Sequence, residues 1–292
     1  MKKPMTVVVE GLGHPEGPYE LDDGRVIYAN TYKSEIGVWD PKTGKSGTFA
    51  FVGGGPNACM LGTDGCVYST QTPNVGAWRA PEHRPPSIQR TRPSGKVEIL
   101  VTEADGVKFD GPNDLTFGPD GRLYFTDSGD WAPATRPHPG RICVIEKNGA
   151  AHIVEELDHV YPNGIVAEPD GSLVWVESYT LRVVRRKPDG TRTVIHTLAE
   201  GHIPDGLKID AKGNLWITTV ASGGVDVLAR DGKPLDFLET GGTILNCVFG
   251  KGGVLFCCDM GPFDVTGAAM TGRLIKVDVG VEGMPLFRGA IS

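Results

Sequence analysis

One short pattern recurs six times along this chain: an apolar strand runs into a glycine turn, and a second apolar strand leaves it. The turn glycines are Gly24, Gly65, Gly121, Gly171, Gly213 and Gly253. In five copies an oxygen-bearing side chain stands eight residues before the glycine, namely Glu16, Asn57, Asn113, Asn163 and Asp205; the sixth copy is one residue shorter and offers Asn246. A repeat of roughly 40 to 55 residues made of short strands has the spacing of propeller blades with about four strands each. The sequence therefore predicts an all-β chain, with residues 1–292 forming a single six-bladed β-propeller of four-stranded blades.

The second strands are legible as RVIYANTY, CVYSTQ, RLYFTDS, SLVWVES, NLWITTV and VLFCCD, each rich in β-branched and aromatic residues directly after its turn. Third strands are expected at EIGVWD, RICVIEK, LRVVRRK and GGVDVLA, and outer strands at GTFAFV, VEILVT and TRTVIHTL. The last repeat supplies GRLIKVDV but no outer strand of its own. TVVVEG near the N-terminus is expected to take that place and close the ring, which removes an open edge.

In such a ring the first strand of every blade faces the axis, so five or six side-chain oxygens converge on one spot. Hard divalent cations favour that arrangement, since calcium takes about six to eight oxygen ligands and accepts a mixture of carboxylate and amide. One divalent ion is expected there, calcium foremost, with zinc, manganese or magnesium as alternatives. The loops leaving the second strands return to the same face. Two are long, Thr70 to Ser87 and Asp127 to Gly140, and they carry Trp78, Arg79, His83, Trp131, Arg136 and His138 towards a substrate. His14 lies two residues before Glu16, while Asp127, Glu177 and Asp259 end second strands and read as a solvated rim.

A net charge of −7 provides no basic surface for nucleic acid or an anionic membrane. The opening MKKPMTVVVEGLG lacks the apolar core of a secretory signal, and no stretch approaches the roughly 20 apolar residues of a membrane span. A cytoplasmic monomer or small homo-oligomer acting on a small molecule is expected. The six cysteines show no metal-ligand spacing and read as reduced core residues.

The run HPEGPYE, then GPNDLTFGPDGRLYFTDSG, then YPNGIVAEPDG with WVES, then IPDGLKIDAKGNLWI, resembles the senescence marker protein/gluconolactonase/luciferin-regenerating enzyme family. The likeness covers most of the chain. It implies a regucalcin-like propeller with a catalytic divalent cation near the top of its axis, held by Glu16, Asn113, Asn163 and Asp205. The activity it implies is opening of a lactone ring: the cation polarises the carbonyl, and Asp205 or a metal-bound hydroxide activates water. Asn57, Trp78, Trp131, His138 and His14 are the expected substrate contacts. The pattern departs at Gly111, where the animal gluconolactonases carry an arginine that helps bind sugar hydroxyls, and a pocket bordered by Trp78 and Trp131 suits a less polar lactone or ester. Two alternatives stand beside hydrolysis: a metal- or ligand-binding propeller without turnover, and a metal-dependent lyase or isomerase using the same site.

Overall fold

A computed structural model describes residues 1–262 and 269–292. Among them, six four-stranded antiparallel sheets account for nearly all of the regular structure, and the one helical piece is the 3-10 turn Thr31–Lys33. The first strands of the blades are Pro15–Glu20, Pro56–Leu61, Pro112–Phe117, Pro162–Ala167, Pro204–Ile209 and Ile244–Gly250. Each packs against the next, and the sixth packs against the first, so together they make a closed inner ring.

The turns explain why each repeat folds locally. In blade three, Gly121 takes φ +77 and donates to the Gly118 carbonyl at 2.9 Å, while Asp120 accepts the Arg122 N–H at 3.0 Å. Aspartate fixes the turn and glycine supplies its left-handed residue, a division of labour that sets the hairpin register. Burial then falls from the axis outwards: Pro162–Ala167 and Leu173–Glu177 are buried throughout, whereas outer strands such as Arg192–Thr197 are largely exposed. The apolar core lies between neighbouring blades, with Trp175, Trp216 and Phe125 fully enclosed.

Closure follows the sequence expectation. Met5–Leu12 pairs antiparallel with Gly272–Asp278, with Met5 opposite Val277, and becomes the outer strand of blade six. Two features were not anticipated. Ser87–Thr91 is the third strand of blade two, at the end of the segment read as a loop. The C-terminal residues beyond Asp278 form a strap that bonds Ile209, Thr63, Tyr68 and Lys147 in turn, and Arg288 ties it to Tyr19 and Asp22. Among the described residues no helix is long and apolar enough to cross a membrane, and all six cysteines are buried and unpaired.

Candidate functional site

Every inner strand carries a β-bulge at its start. The register slips between Pro56 and Cys59, Pro112 and Leu115, Pro162 and Ile165, and Pro204 and Leu207, so Asn57, Asn113, Asn163 and Asp205 fall within equivalent irregularities; in blade one the slip follows Glu16. A bulge re-aims a side chain and leaves a backbone amide without its ladder partner. Threonines of the second strands meet those amides. Thr70 accepts from Ala58 at 2.8 Å, Thr126 from Asp114 at 3.0 Å and Thr218 from Gly206 at 2.7 Å, each threonine twelve residues after the amide it caps. Two of these hydroxyls pass their protons to the next blade, Thr70 to the Asn113 carbonyl at 2.5 Å and Thr218 to Leu245 at 2.7 Å; Ser178, just past its second strand, likewise donates to Pro204 at 2.7 Å. That recurrent spacing was a readable signal that the sequence reading did not use.

These bonds decide which way the amides point. Because the Ser178 hydroxyl donates to Pro204, it can only accept from Asn163, whose Nδ2 lies 3.2 Å away. Asn163 Oδ1 is therefore turned from Ser178 and has no hydrogen-bond partner, although it is buried. Asn57 Oδ1 and Asn113 Oδ1 are likewise buried and unpartnered. All three residues, with Glu16, Asp205 and His14, line one cavity of about 60 Å³ at the mouth of the ring. In the sixth blade Leu245 lines it, not Asn246. Ile244 pairs with Asp259 as the prolines pair in the other blades, so the sixth repeat is not shorter after all: Leu245, eight residues before Gly253, holds the donor register and Asn246 lies one step deeper.

Electrostatics point the same way as the orphaned oxygens. Burial, reinforced by the charge of Asp114, pushes the Glu16 carboxyl up to about 8, against the Gly17 N–H, Asn246 and Lys208, which favour its anion. Burial also raises Asp205 well above the carboxylate range, with Glu16 and Asp114 adding to the effect and a hydrogen bond with Asn163 opposing it. Two carboxylates and three unsatisfied amide oxygens around one small cavity are costly in a protein interior. They make a donor set of hard oxygens that suits a divalent cation of the calcium type. Histidine- or cysteine-rich chemistry has no counterpart, since among the described residues no three His, Cys, Asp or Glu side chains cluster as a metal site.

Beneath this tier lies a second one that sequence reasoning missed. Lys208 Nζ sits 3.7 Å from Asp114 Oδ2, 3.4 Å from Asn246 Oδ1 and 3.0 Å from the Leu207 carbonyl, so an ammonium group occupies the channel next to the carboxylates.

The expected substrate contacts divide. Trp131 lines the cavity and packs edge-on against Tyr161, with ring centroids 5.0 Å apart. Trp78 does not line it: its ring rests on Tyr32 at 5.3 Å, and Tyr32 in turn packs on His14 at 5.2 Å, so it backs His14 from behind. The same loop instead sends Asn74 and Val75, the first strand of a short hairpin, to the cavity. His138 is also outside, with Nδ1 3.2 Å from Asp110 Oδ1. The strand-end acids are not a solvated rim. Asp127 is fully buried, accepts the Gly111 N–H at 2.7 Å and pairs with Arg141 at 2.7 Å; Asp259 is fully buried against Thr243 N–H and Arg273; Glu177 accepts from Thr180 at 2.7 Å. Asp127 and Asp259 thus hold the backbone leading into the inner strands of blades three and six. Tyr161, unforeseen, takes a left-handed backbone at φ +54 and lines the cavity.

Comparison with known proteins agrees with this architecture. Residues 14–256 match the family described as the SMP-30/gluconolactonase/LRE-like region. A gluconolactonase of Zymomonas mobilis is 25% identical over an alignment covering 87% of this chain and 78% of that protein. Among solved structures, a calcium-binding regucalcin from Agrobacterium tumefaciens superposes with a TM-score of 0.80 at 18% identity, covering 100% of this chain and 98% of that one. A gluconolactonase from Xanthomonas campestris gives 0.75 at 20% identity, covering 94% and 89%. At these identities the structural likeness concerns the fold.

Proposed function

The chain belongs to the SMP-30/gluconolactonase/LRE-like family, and from that membership we propose that it is a divalent-metal-dependent hydrolase that opens a lactone ring. The observation that carries the proposal is the set of three buried, unpartnered asparagine oxygens facing the same cavity as Glu16 and Asp205. Glu16, Asn113, Asn163 and Asp205 would hold the ion, with Asn57 adding a fifth oxygen in the same register; calcium is the first choice for a mixed carboxylate and amide set. Bound there, such a cation polarises the lactone carbonyl and acidifies the attacking water.

Asp205 has a second task. One oxygen of its carboxylate would hold the ion, leaving the other to accept a proton from water as the water oxygen attacks the carbonyl carbon. When the ring C–O bond breaks, the same carboxyl returns that proton to the departing oxygen, and the product is a hydroxy acid. Asn163, fixed by Ser178, only positions.

The test is lactone hydrolysis at saturating calcium, with calcium affinity measured in parallel. Asp205→Asn keeps an oxygen donor but loses the proton acceptor, so turnover should fall by about 10² or more while some calcium still binds. Asn163→Asp should bind calcium more tightly and lose less activity. Near-normal turnover by Asp205→Asn with metal bound would remove Asp205 from proton transfer. Metal binding without turnover of any lactone or ester would return the protein to the class of non-hydrolytic binders.

A further inference from the structure

The residues just before the inner strands are His14, Gly55, Gly111, Tyr161, Ile203 and Thr243, and of these His14, Gly111 and Tyr161 line the cavity. Two of these six places leave little room for a side chain. A Cβ at Gly111 would lie 3.0 Å from the Gly129 backbone, and one at Gly55 would strike the Thr72 carbonyl. Gly129 is itself packed under His138. Among the described residues, no lysine or arginine lines the cavity.

Beside Thr72 and Asn74, one wall of the mouth is apolar and braced. Trp131, Tyr161 and Tyr179 pack pairwise with centroids 5.0 to 5.2 Å apart. Tyr179 is anchored where its hydroxyl accepts the Ala132 N–H at 2.8 Å and where the Arg136 guanidinium covers its ring at 5.0 Å. Tyr161 holds a backbone conformation unfavourable for a residue with a Cβ, as is found where the surroundings enforce a functional pose. Val75, Val220 and Leu245 complete the apolar lining.

We infer that this site selects an uncharged lactone carrying an apolar ring substituent, with Trp131 and Tyr161 as the specificity-determining wall. The inference rests on the lactonase reading and adds its substrate class. With the charge of a bound divalent ion offset by Glu16 and Asp205, an anionic lactone would find no lysine or arginine among the described residues lining the cavity to pair with. A polyhydroxylated ring pressed on this wall would leave hydroxyls without partners, a penalty that an alkyl or aryl substituent does not incur. Apolar pockets discriminate by about tenfold or more for each well-placed methylene.

Two measurements test it on the calcium-loaded full chain. Hydrolysis of γ-butyrolactone, γ-alkyl butyrolactones of increasing chain length and glucono-δ-lactone should show kcat/KM rising with alkyl length, and the long-chain substrate exceeding the sugar lactone by about tenfold or more. Trp131→Ala should raise KM for the long-chain substrate at least about tenfold more than for the unsubstituted ring. Preference for the sugar lactone, or indifference to chain length, would overturn the inference while leaving the lactonase reading intact. Calorimetry with the matching non-hydrolysable lactams separates the two failures. If no lactone is turned over, tighter binding of the alkyl lactam than of the polyhydroxylated lactam still supports the selectivity, and the reverse order overturns it.

Discussion

Glu16 and Asp205 are buried in one cavity, where burial raises both carboxyls and the charge of Glu16 makes Asp205 harder still to ionise. For Glu16 the folded-state value lies above the ordinary carboxylate range, at about 8. The neutral form is thus the one the metal-free fold favours, so its contribution to stability is present in full below the unfolded carboxylate value and disappears as pH rises through about 8. Chelated protein should accordingly lose thermal stability between pH 5 and about 8, and added calcium should restore more of it at the alkaline end. Calcium needs both anions, so binding near neutral pH should release about one to two protons. Calorimetry in buffers of different ionisation enthalpy reads that number directly; zero release would mean that these carboxyls are already ionised before calcium binds.

The inner strand is the element that turns a repeat into a site. Its bulge frees an amide, a hydroxyl from the second strand caps it, and the same hydroxyl reaches the neighbouring blade, so donor position and ring assembly are set by one hydrogen-bond chain. Close approach of adjacent inner strands is part of that arrangement. A Cβ on Gly164 would lie 2.5 Å from the Asp205 carbonyl and 2.5 Å from Leu207 N, both backbone atoms of the next blade. Gly164→Ala should therefore cost about 1–3 kcal/mol of stability and weaken calcium binding although no donor is altered. Gly47 on the outer strand Lys45–Phe51 has nothing within 4 Å of its would-be Cβ, and Gly47→Ala should stay within about 0.5 kcal/mol of the parent. Chemical denaturation of both variants with and without calcium checks the pair, and equal effects would mean that inner-strand spacing does not set the site.

At the scale of the molecule, the ring is shut by Met5–Leu12, which buries Val9 and Leu12 beside Leu274 and covers the edge of Gly272–Asp278. Deleting residues 1–12 should expose that edge, lower the melting temperature and promote aggregation, seen by thermal denaturation with light scattering. An unchanged melting temperature would show that the ring holds without it. The fold was legible from the sequence because it is encoded locally and six times over: the strand pattern, the glycine turns and the missing sixth outer strand are short-range signals. Glu16, Asn57, Asn113, Asn163 and Asp205 were legible as one register for the same reason. What reaches the cavity from the long loops was not, because Trp78 and Trp131 have similar sequence contexts and only packing against Tyr32 or Tyr161 separates them. Leu245 replacing Asn246 in the donor register, Lys208 meeting Asp114, and the C-terminal strap across four blades depend on contacts between residues far apart in the chain. Periodicity determines which residues share a face of a strand; the closing of the ring decides which of them meet.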